Sequence, residues 1–207
     1  NIFFYIATLI NKAAMIENFA LFYPTSHYFH IWQPLSHMFM HGGFFHVLIN
    51  MYMLYMFGSI VENIIGTKKF LLFYFICGFG AAALHTGVEY MQMQSYMDGA
   101  ALGNQEALRQ IALLKVTPTV GASGAIYGIL IAYAMLFPQS RMTLLFPPIT
   151  MSAKSMTLLF IGIELLTGLS GSGGNIAHFA HLGGALFGFL LIKYWRTRGT
   201  LFDKYNF

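Results

Sequence analysis

The sequence predicts an all-α membrane protein, a bundle of six transmembrane helices, and three observations lead to this prediction. Of its 207 residues, 57% are hydrophobic and 9% are charged, whereas a soluble domain carries about 25% charged residues. Apolar stretches with little or no charge recur along the chain, at lengths near the ~20 residues that a spanning helix needs. None of them alternates apolar and polar residues as a membrane β-barrel strand does, so helices are favoured.

Five of the predicted spans are visible as apolar stretches, which we number 2 to 6: residues 42–61, 70–88, 119–137, 156–169 and 175–192. Span 1 is implied at the N-terminus. Residues 1–10 are apolar, but at about 1.5 Å per residue they cross only about half a bilayer. Because the chain also starts without an initiator Met, we expect a truncated first helix that continues toward Tyr23. Neither the basic flank nor the cleavage site of a signal peptide is visible.

Three connecting segments have distinctive compositions. Residues 22–40 combine aromatic side chains with Pro24, Trp32 and Pro34, and since Trp and Tyr favour the membrane interface, a structured loop lying partly in that interface is predicted. Residues 91–115 are more polar and predict a longer external connection with a short helix at 104–114. Residues 170–175 contain serine and glycine and predict a flexible link of the kind that forms a movable lid.

The net charge of +4 is explained by membrane topology and not by a nucleic-acid partner. With six spans, one side of the membrane holds eight basic residues: Lys68, Lys69, Arg141, Lys154, Lys193, Arg196, Arg198 and Lys204. The other side holds three, Lys12, Arg109 and Lys115. The positive-inside rule then puts both termini in the cytoplasm. We expect one domain over residues 1–207, in the lipid bilayer, in a bacterial inner membrane.

Polar residues inside the predicted spans are the candidates for function, because they are costly in lipid. Ser123 lies in the apolar run TVGASGAIYG, and a single serine there is often only a small packing residue. Two histidine-containing stretches accompany it. The first holds His37, His41, His46 and Asn50, and the second holds His178 and His181.

Glycines predict which spans meet. Gly124 and Gly128 on span 4, and Gly184 and Gly188 on span 6, have the spacing that lets membrane helices approach closely. Spans 4 and 6 are both even-numbered and therefore run parallel. Ser123 and His181 then lie near the external ends at similar depth, where a serine and a histidine within hydrogen-bond reach form a nucleophile–base pair.

Acyl transfer also needs donors for an oxyanion, and the same region supplies candidates. The first backbone N–H groups of a helix lack partners, so those of Ser123 and Ala122 are available. His46 and Asn50 share one helix face at i and i+4 and lie on the external half of span 2. Tyr127, one turn after Ser123, is predicted to support the His181 ring.

These motifs together resemble the rhomboid family of intramembrane serine proteases, of the bacterial six-span type. The resemblance covers nearly the whole chain. It depends on three sets of residues: Gly121, Ser123, Gly124, Tyr127 and Gly128; His41, His46 and Asn50; and Ala180, His181, Gly184 and Gly188.

The resemblance implies specific roles for these residues. Ser123 is the nucleophile and His181 the base, in a dyad without an aspartate, and His46, Asn50 and the Ser123 N–H form the oxyanion site. Residues 22–40 match the family's first external loop and 170–175 its cap loop. The family often has Trp-Arg in that first loop, and this chain has Trp32-Gln33, a change that is expected to loosen the loop's anchoring without touching the dyad.

Other assignments are less supported by the sequence. His181 is preferred to His178 as base because small residues follow it at the matching offsets, so His178 is assigned to structure or access. His37 and His41 at i and i+4 have no nearby carboxylate or cysteine, and HExxH is absent, so neither a metal nor another cofactor is expected. For Glu164 in span 5 two placements stay open: a hydrogen bond inside the bundle or the lining of a water path. Cys77 is expected to have a packing role.

The expected partners are transmembrane protein substrates, cut in or near their spans at sites with small or helix-breaking residues. The alternative function is a catalytically inactive relative that binds transmembrane clients without cleaving them. No nucleic-acid partner is expected, and the sequence selects no oligomeric state.

Overall fold

The computed structural model describes residues 1–144, 147–170 and 176–202, with the backbone alone at 176–177. In this part of the chain the regular secondary structure is helical apart from a short hairpin and one isolated bridge. The helices are α1 Ile2–Ile10, α2 Lys12–Phe19, α3 Gln33–Ser36, α4 Phe44–Met53, α5 Ser59–Ile65, α6 Thr67–Ala101, α7 Gln105–Val116, α8 Ser123–Leu136, α9 Ala153–Ser170 and α10 Ile176–Thr197. A 3₁₀ turn covers His37–Phe39, and a π-helical segment, Leu54–Gly58, joins α4 to α5.

Long apolar helices make the chain an integral membrane protein with several spans, as predicted. Within the described residues, three are long and apolar enough to cross a bilayer: Phe44–Ile65, which includes the π segment, Thr67–Ala101 and Ala153–Ser170. The apolar helix α8 is shorter. The all-α membrane fold is therefore confirmed, while the count of six spans stays a prediction.

Helix α8 begins later than predicted, at Ser123 rather than at Thr119. Thr119 instead pairs with Leu21 through two backbone hydrogen bonds of 2.8 and 2.9 Å, and Gly121 donates its N–H to the carbonyl of His37 at 3.0 Å. Non-helical backbone at membrane depth is tolerated when it is buried in protein and hydrogen-bonded. Leu21, just before the loop of residues 22–40, and His37 within it thus supply the backbone partners for the non-helical segment that precedes Ser123.

The core lies where α6, α8 and α10 meet, and glycines determine how closely they pack. A Cβ on Gly184 would lie 1.8 Å from the carbonyl oxygen of Gly124, and one on Gly188 would lie 2.7 Å from the Cα of Gly128. On the α6 side, a Cβ on Gly128 would lie 2.4 Å from the sulfur of Cys77, which is fully buried. Only backbone-to-backbone contact fits between α8 and α10 at these positions.

The parallel orientation of α8 and α10 is visible at their C-terminal ends. Arg196 of α10 donates a hydrogen bond to the carbonyl of Met135 at the end of α8, at 2.9 Å. Lys69, at the start of α6, donates to the carbonyl of Thr200 beyond α10. These contacts bring three of the segments predicted for the basic side to the same end of the molecule.

The polar segment 91–115 was wrongly predicted to be mainly a connection. Helix α6 continues for 35 residues to Ala101, because its extension has a buried side. Glu89 is 3% exposed and lies 3.4 Å from His85, and Met93 packs with Tyr23 and Leu114. The short helix predicted at 104–114 corresponds to α7.

The loop of residues 22–40 is anchored through Gln33, contrary to the expected loosening. Gln33 is fully buried, and its amide nitrogen donates to the carbonyls of Tyr28 at 2.7 Å and Glu17 at 3.2 Å. Its amide oxygen accepts from the N–H of Phe22 at 3.3 Å. A neutral amide satisfies these three backbone groups because it carries both donors and an acceptor.

We therefore expect Gln33→Ala to lower the free energy of unfolding by about 2–3 kcal/mol, because it removes a buried side chain and leaves polar backbone groups without partners. The measurement is denaturation of the purified protein in detergent. Gln94→Ala on the exposed side of α6 is the matched control and should change stability by less than about 0.5 kcal/mol. Equal stability of the two variants would show that Gln33 does not anchor the loop.

A two-stranded hairpin between α8 and α9 is an element that the sequence did not predict. Strands β1 Arg141–Thr143 and β2 Thr150–Ser152 pair antiparallel, with Met142 opposite Met151. Three residues per strand are too few to show an alternating pattern. The flexible link predicted at 170–175 lies, except for Ser170, outside the described residues.

Candidate active site

Ser123 is the first residue of α8, with Ala122 at the preceding cap position. Ala122 is fully buried, and Ser123 is partly buried. The N–H groups of the first helical turn have no intrahelical partner, so backbone donors surround the serine. Gly121 has φ +137°, a backbone conformation that side chains disfavour, and this residue turns the extended chain into the helix.

His181 lies beside this serine. Its Nε2 atom is 2.7 Å from the Oγ of Ser123, a hydrogen-bond distance across the glycine contact of α8 and α10. A Cβ on Gly124 would also lie 3.4 Å from the carbonyl of Ala180, so the two helices touch at the level of the pair. The structure thus brings together the two residues that the sequence predicted as nucleophile and base.

The ring of His181 is held on one face by Tyr127. The two rings are stacked, with centroids 4.4 Å apart and planes within 9°. Tyr127 follows Ser123 by four residues, so both side chains lie on the same face of α8. The tyrosine therefore restricts the imidazole to the plane in which Nε2 reaches the serine.

A glutamate carboxylate also contacts His181, beside the dyad without an aspartate that the resemblance implies. The Nδ1 atom of His181 lies 2.9 Å from Oε1 of Glu164, and the hydroxyl of Tyr127 donates to the same oxygen at 2.5 Å. Nδ1 of His178 lies 2.6 Å from the other oxygen, Oε2. Of the two placements left open for Glu164, the hydrogen-bonded one is observed.

The depth of Glu164 in the membrane, counted from the end of its helix, is the signal that could have identified its partner from the sequence. It stands six residues before the end of α9 at Ser170, and His181 stands five residues after the start of α10 at Ile176. At about 1.5 Å per residue, both lie 7–9 Å from the link that joins these helices. A carboxylate and a histidine at similar depth in neighbouring antiparallel helices would be expected to pair.

His46 and Asn50 line a cavity of about 350 Å³ that also reaches Ser123 and His181. The N–H of Gly42 points to Nδ1 of His46 at 3.3 Å. Nδ1 then acts as the acceptor, so the proton is on Nε2. Asn50 uses one amide hydrogen to bond the carbonyl of His46 at 2.7 Å and keeps the second. Both residues thus retain a donor near the serine.

Gly121 and His41 hold the His46 ring in place. A Cβ on Gly121 would lie 3.1 Å from Cε1 and Nε2 of His46 and 3.4 Å from the Oγ of Ser123. Because glycine has no side chain, the His46 ring can lie close to the backbone beside Ser123. His41 is 2% exposed and meets His46 edge to face at 5.0 Å. Neither ring nitrogen of His41 has a hydrogen-bond partner in the described part of the chain.

His37 contributes through its backbone. Its carbonyl accepts from Gly121, as described above, and its Nδ1 lies 3.0 Å from the carbonyl of Gln33. Burial lowers the pKa of His37 to about 4, so the ring is neutral at pH 7 and its Nδ1–H donates. The residue links the anchored loop to the turn before Ser123.

The cavity is mostly apolar on the sides away from the four polar residues. Its other walls come from α4, α8, α9 and the segment before α8, and they consist of Ile49, Met53, Val120, Ile126, Leu130 and Phe160, together with Tyr127. An apolar cleft with a few convergent polar groups is the usual form of a ligand site. This one opens between helices of the membrane bundle.

Comparison with known proteins agrees with the resemblance. Residues 28–198 match the family model of the Rhomboid domain. The chain is 31% identical over 169 residues to the human presenilin-associated rhomboid-like protein, mitochondrial, which covers 79% of this chain and 39% of the relative. It is 31% identical over 166 residues to RHOMBOID-like protein 1 of Arabidopsis thaliana, and the match covers 80% of this chain and 34% of that relative. It is 29% identical over 201 residues to the rhomboid protease GlpG of Yersinia pestis, and the match covers 95% of this chain and 59% of that relative.

The chain thus spans about two fifths of the length of the mitochondrial relatives. The similar proteins include relatives named as mitochondrial and a bacterial one. Sequence similarity therefore does not support the bacterial inner membrane in particular, and that location stays a prediction. The match to the family model, which includes the segments carrying Ser123 and His181, leads to one conclusion: the chain belongs to the rhomboid family.

Proposed function

We propose that this protein is an intramembrane serine protease that hydrolyses peptide bonds in or near transmembrane segments of membrane proteins. The single observation that carries the proposal is the 2.7 Å distance between the Oγ of Ser123 and Nε2 of His181. A serine hydroxyl is a weak nucleophile until an adjacent base can take its proton. A role in helix packing alone does not require a histidine at this distance.

In the proposed reaction, Oγ of Ser123 attacks the carbonyl carbon while its proton passes to Nε2 of His181. The resulting oxyanion is stabilised by the N–H of Ser123, with that of Ala122, the His46 Nε2–H and the free Asn50 amide hydrogen as further donors. His181 then gives the proton to the leaving nitrogen as the C–N bond breaks. Water, deprotonated by the same histidine, hydrolyses the acyl-enzyme and regenerates Ser123.

The substrate is proposed to enter the cavity as a locally unwound segment. The carbonyls of an intact helix are hydrogen-bonded within the helix, so the scissile carbonyl must be freed before it can meet the donors. Substrates with small or helix-breaking residues at the cleaved site are therefore favoured. The proposed orientation has Ser123 and His181 near the membrane face opposite the basic ends of α6 and α10.

Covalent labelling tests this function directly. A fluorophosphonate probe should modify the purified protein in detergent, and peptide mass spectrometry should find the adduct on Ser123. Ser123→Ala should not be labelled. Cleavage of a reporter with a single transmembrane segment is measured in the same preparation. A folded protein that neither takes up the probe nor cleaves such reporters would instead be an inactive relative that binds transmembrane clients.

A further inference from the structure

Glu164 receives three hydrogen bonds that the proposed reaction does not use. Its Oε1 accepts from Tyr127 and from Nδ1 of His181, and its Oε2 accepts from Nδ1 of His178. The Glu164 side chain is only 11% exposed. A carboxylate in such a position is tolerated when its oxygens are hydrogen-bonded, and here each oxygen has a donor.

These contacts determine the protonation pattern of the base. A carboxylate oxygen accepts, so Nδ1 of His181 carries the hydrogen. In a neutral imidazole the other nitrogen, Nε2, is then the acceptor, and this is the atom that lies 2.7 Å from the Ser123 hydroxyl. With the opposite tautomer, Nε2 would present a hydrogen to the serine and the ring would be unable to take its proton.

We propose that Glu164 is the positioning residue of this site: it fixes the tautomer and orientation of His181 and stabilises the imidazolium that forms during the reaction. The proposal rests on the proposed protease function. His178 has a part in it, because its bond to Oε2 keeps the carboxylate from turning away from His181. His178 is itself bonded to Thr167 of α9, at 3.1 Å.

The groups around the His181 ring give Glu164 this role. Ser123 and Tyr127 face the ring from α8 and are neutral at pH 7, and His46 of α4 faces it across the cavity. His178 lies one turn earlier on the same helix. Glu164 of α9 is the acidic side chain in contact with the ring, so the negative charge that favours an imidazolium comes from it.

Two substitutions at Glu164 test the proposal. Glu164→Ala removes acceptor and charge, and we expect kcat to fall by about 30–100-fold while KM changes by less than about threefold, because the base is affected and the substrate cavity is not. Glu164→Gln keeps an acceptor oxygen and the side-chain volume, and kcat should fall by about 10-fold. Unchanged kcat, within about threefold, in a folded Glu164→Ala variant overturns the proposal. If Glu164→Ala does not fold, a wild-type kcat in Glu164→Gln overturns the proposal instead.

Glu89→Gln is the matched control for the loss of a buried carboxylate beside a histidine. Glu89 is 3% exposed and contacts His85 on α6, away from the His181 ring. We expect Glu89→Gln to lower thermal stability about as much as Glu164→Gln does, with kcat within about twofold of the wild type. An equal loss of kcat in both would assign the effect of Glu164 to general destabilisation and overturn its positioning role.

A second readout is independent of catalysis. Nitrogen-15 NMR of histidine-labelled protein in detergent, with the His181 signal assigned by its loss in His181→Ala, reports which ring nitrogen carries the hydrogen. We expect the Nδ1–H tautomer in the wild type and in Ser123→Ala, and a mixture in Glu164→Ala. An Nε2–H tautomer in the wild type overturns the proposal. If the protein proves inactive but shows the expected tautomers, the protease function fails while the positioning by Glu164 stands.

Discussion

Replacement of Ser123 with alanine is expected to reduce the rate of substrate cleavage by at least about 10³-fold, the largest effect of any single substitution in this protein. Without the hydroxyl no acyl-enzyme can form, and only the oxyanion donors and substrate positioning remain. His181→Ala should cause a similar loss. The double variant should be no less active than either single one, since the two residues act in one proton transfer.

Stability measurements separate this effect from misfolding. Ser123→Ala removes one hydrogen bond, so the free energy of unfolding should fall by only about 1 kcal/mol. Ser59→Ala is the matched control: this serine is exposed on α5 and bonds only the carbonyl of Tyr55 in the part of the chain described. It should retain full activity. Cleavage by Ser123→Ala at more than about a tenth of the wild-type rate contradicts the proposed mechanism.

Gly184→Ala is expected to have the second-largest effect, on stability and activity together. The added Cβ would lie 1.8 Å from the carbonyl oxygen of Gly124 and 2.5 Å from its carbon, and these backbone atoms cannot turn aside as a side chain can. Helices α8 and α10 must therefore move apart by more than 1 Å. We expect a loss of about 3 kcal/mol or more. Activity in the folded fraction should fall by about 100-fold or more, because Ser123 and His181 are held on the two separated helices.

Gly162→Ala provides the control for a glycine-to-alanine change inside a membrane helix. A Cβ at Gly162 on α9 meets nothing within 4 Å, so this substitution should leave activity unchanged and be neutral or stabilising by up to about 1 kcal/mol. Both variants are compared by thermal denaturation and reporter cleavage in the same detergent. Wild-type stability in Gly184→Ala would mean that the two helices are not in backbone contact at this position.

The parts of the fold that follow from a repeated pattern could be predicted from the sequence. Apolar length indicates the membrane helices, and the glycine spacing at Gly124, Gly128, Gly184 and Gly188 indicates which two meet. Together with parallel orientation, this spacing brings Ser123 to His181. Each inference uses a rule that acts within one helix or between two helices, and the residue spacing that such a rule requires can be recognised in the linear sequence.

The features that escaped prediction depend on partners distant in the sequence. Gln33 anchors its loop because Glu17, Tyr28 and Phe22 present backbone groups to it, and a residue-by-residue comparison with the family's arginine could not reveal this. Helix α6 extends beyond the apolar stretch because Glu89 and Met93 find buried contacts. The role of Glu164 depends on the rotation of α9 about its axis, which hydrophobic length does not determine.

The length of α8 has a consequence for where a substrate can be cut. Fourteen residues make a helix of about 21 Å, whereas the hydrocarbon layer is about 30 Å thick. With its last residue at one boundary, its first residue lies about 9 Å beneath the opposite one. A substrate helix covers that depth in about six residues, at about 1.5 Å each. The proposed protease would therefore select peptide bonds by their depth in the bilayer, before its contacts with substrate side chains discriminate between sequences.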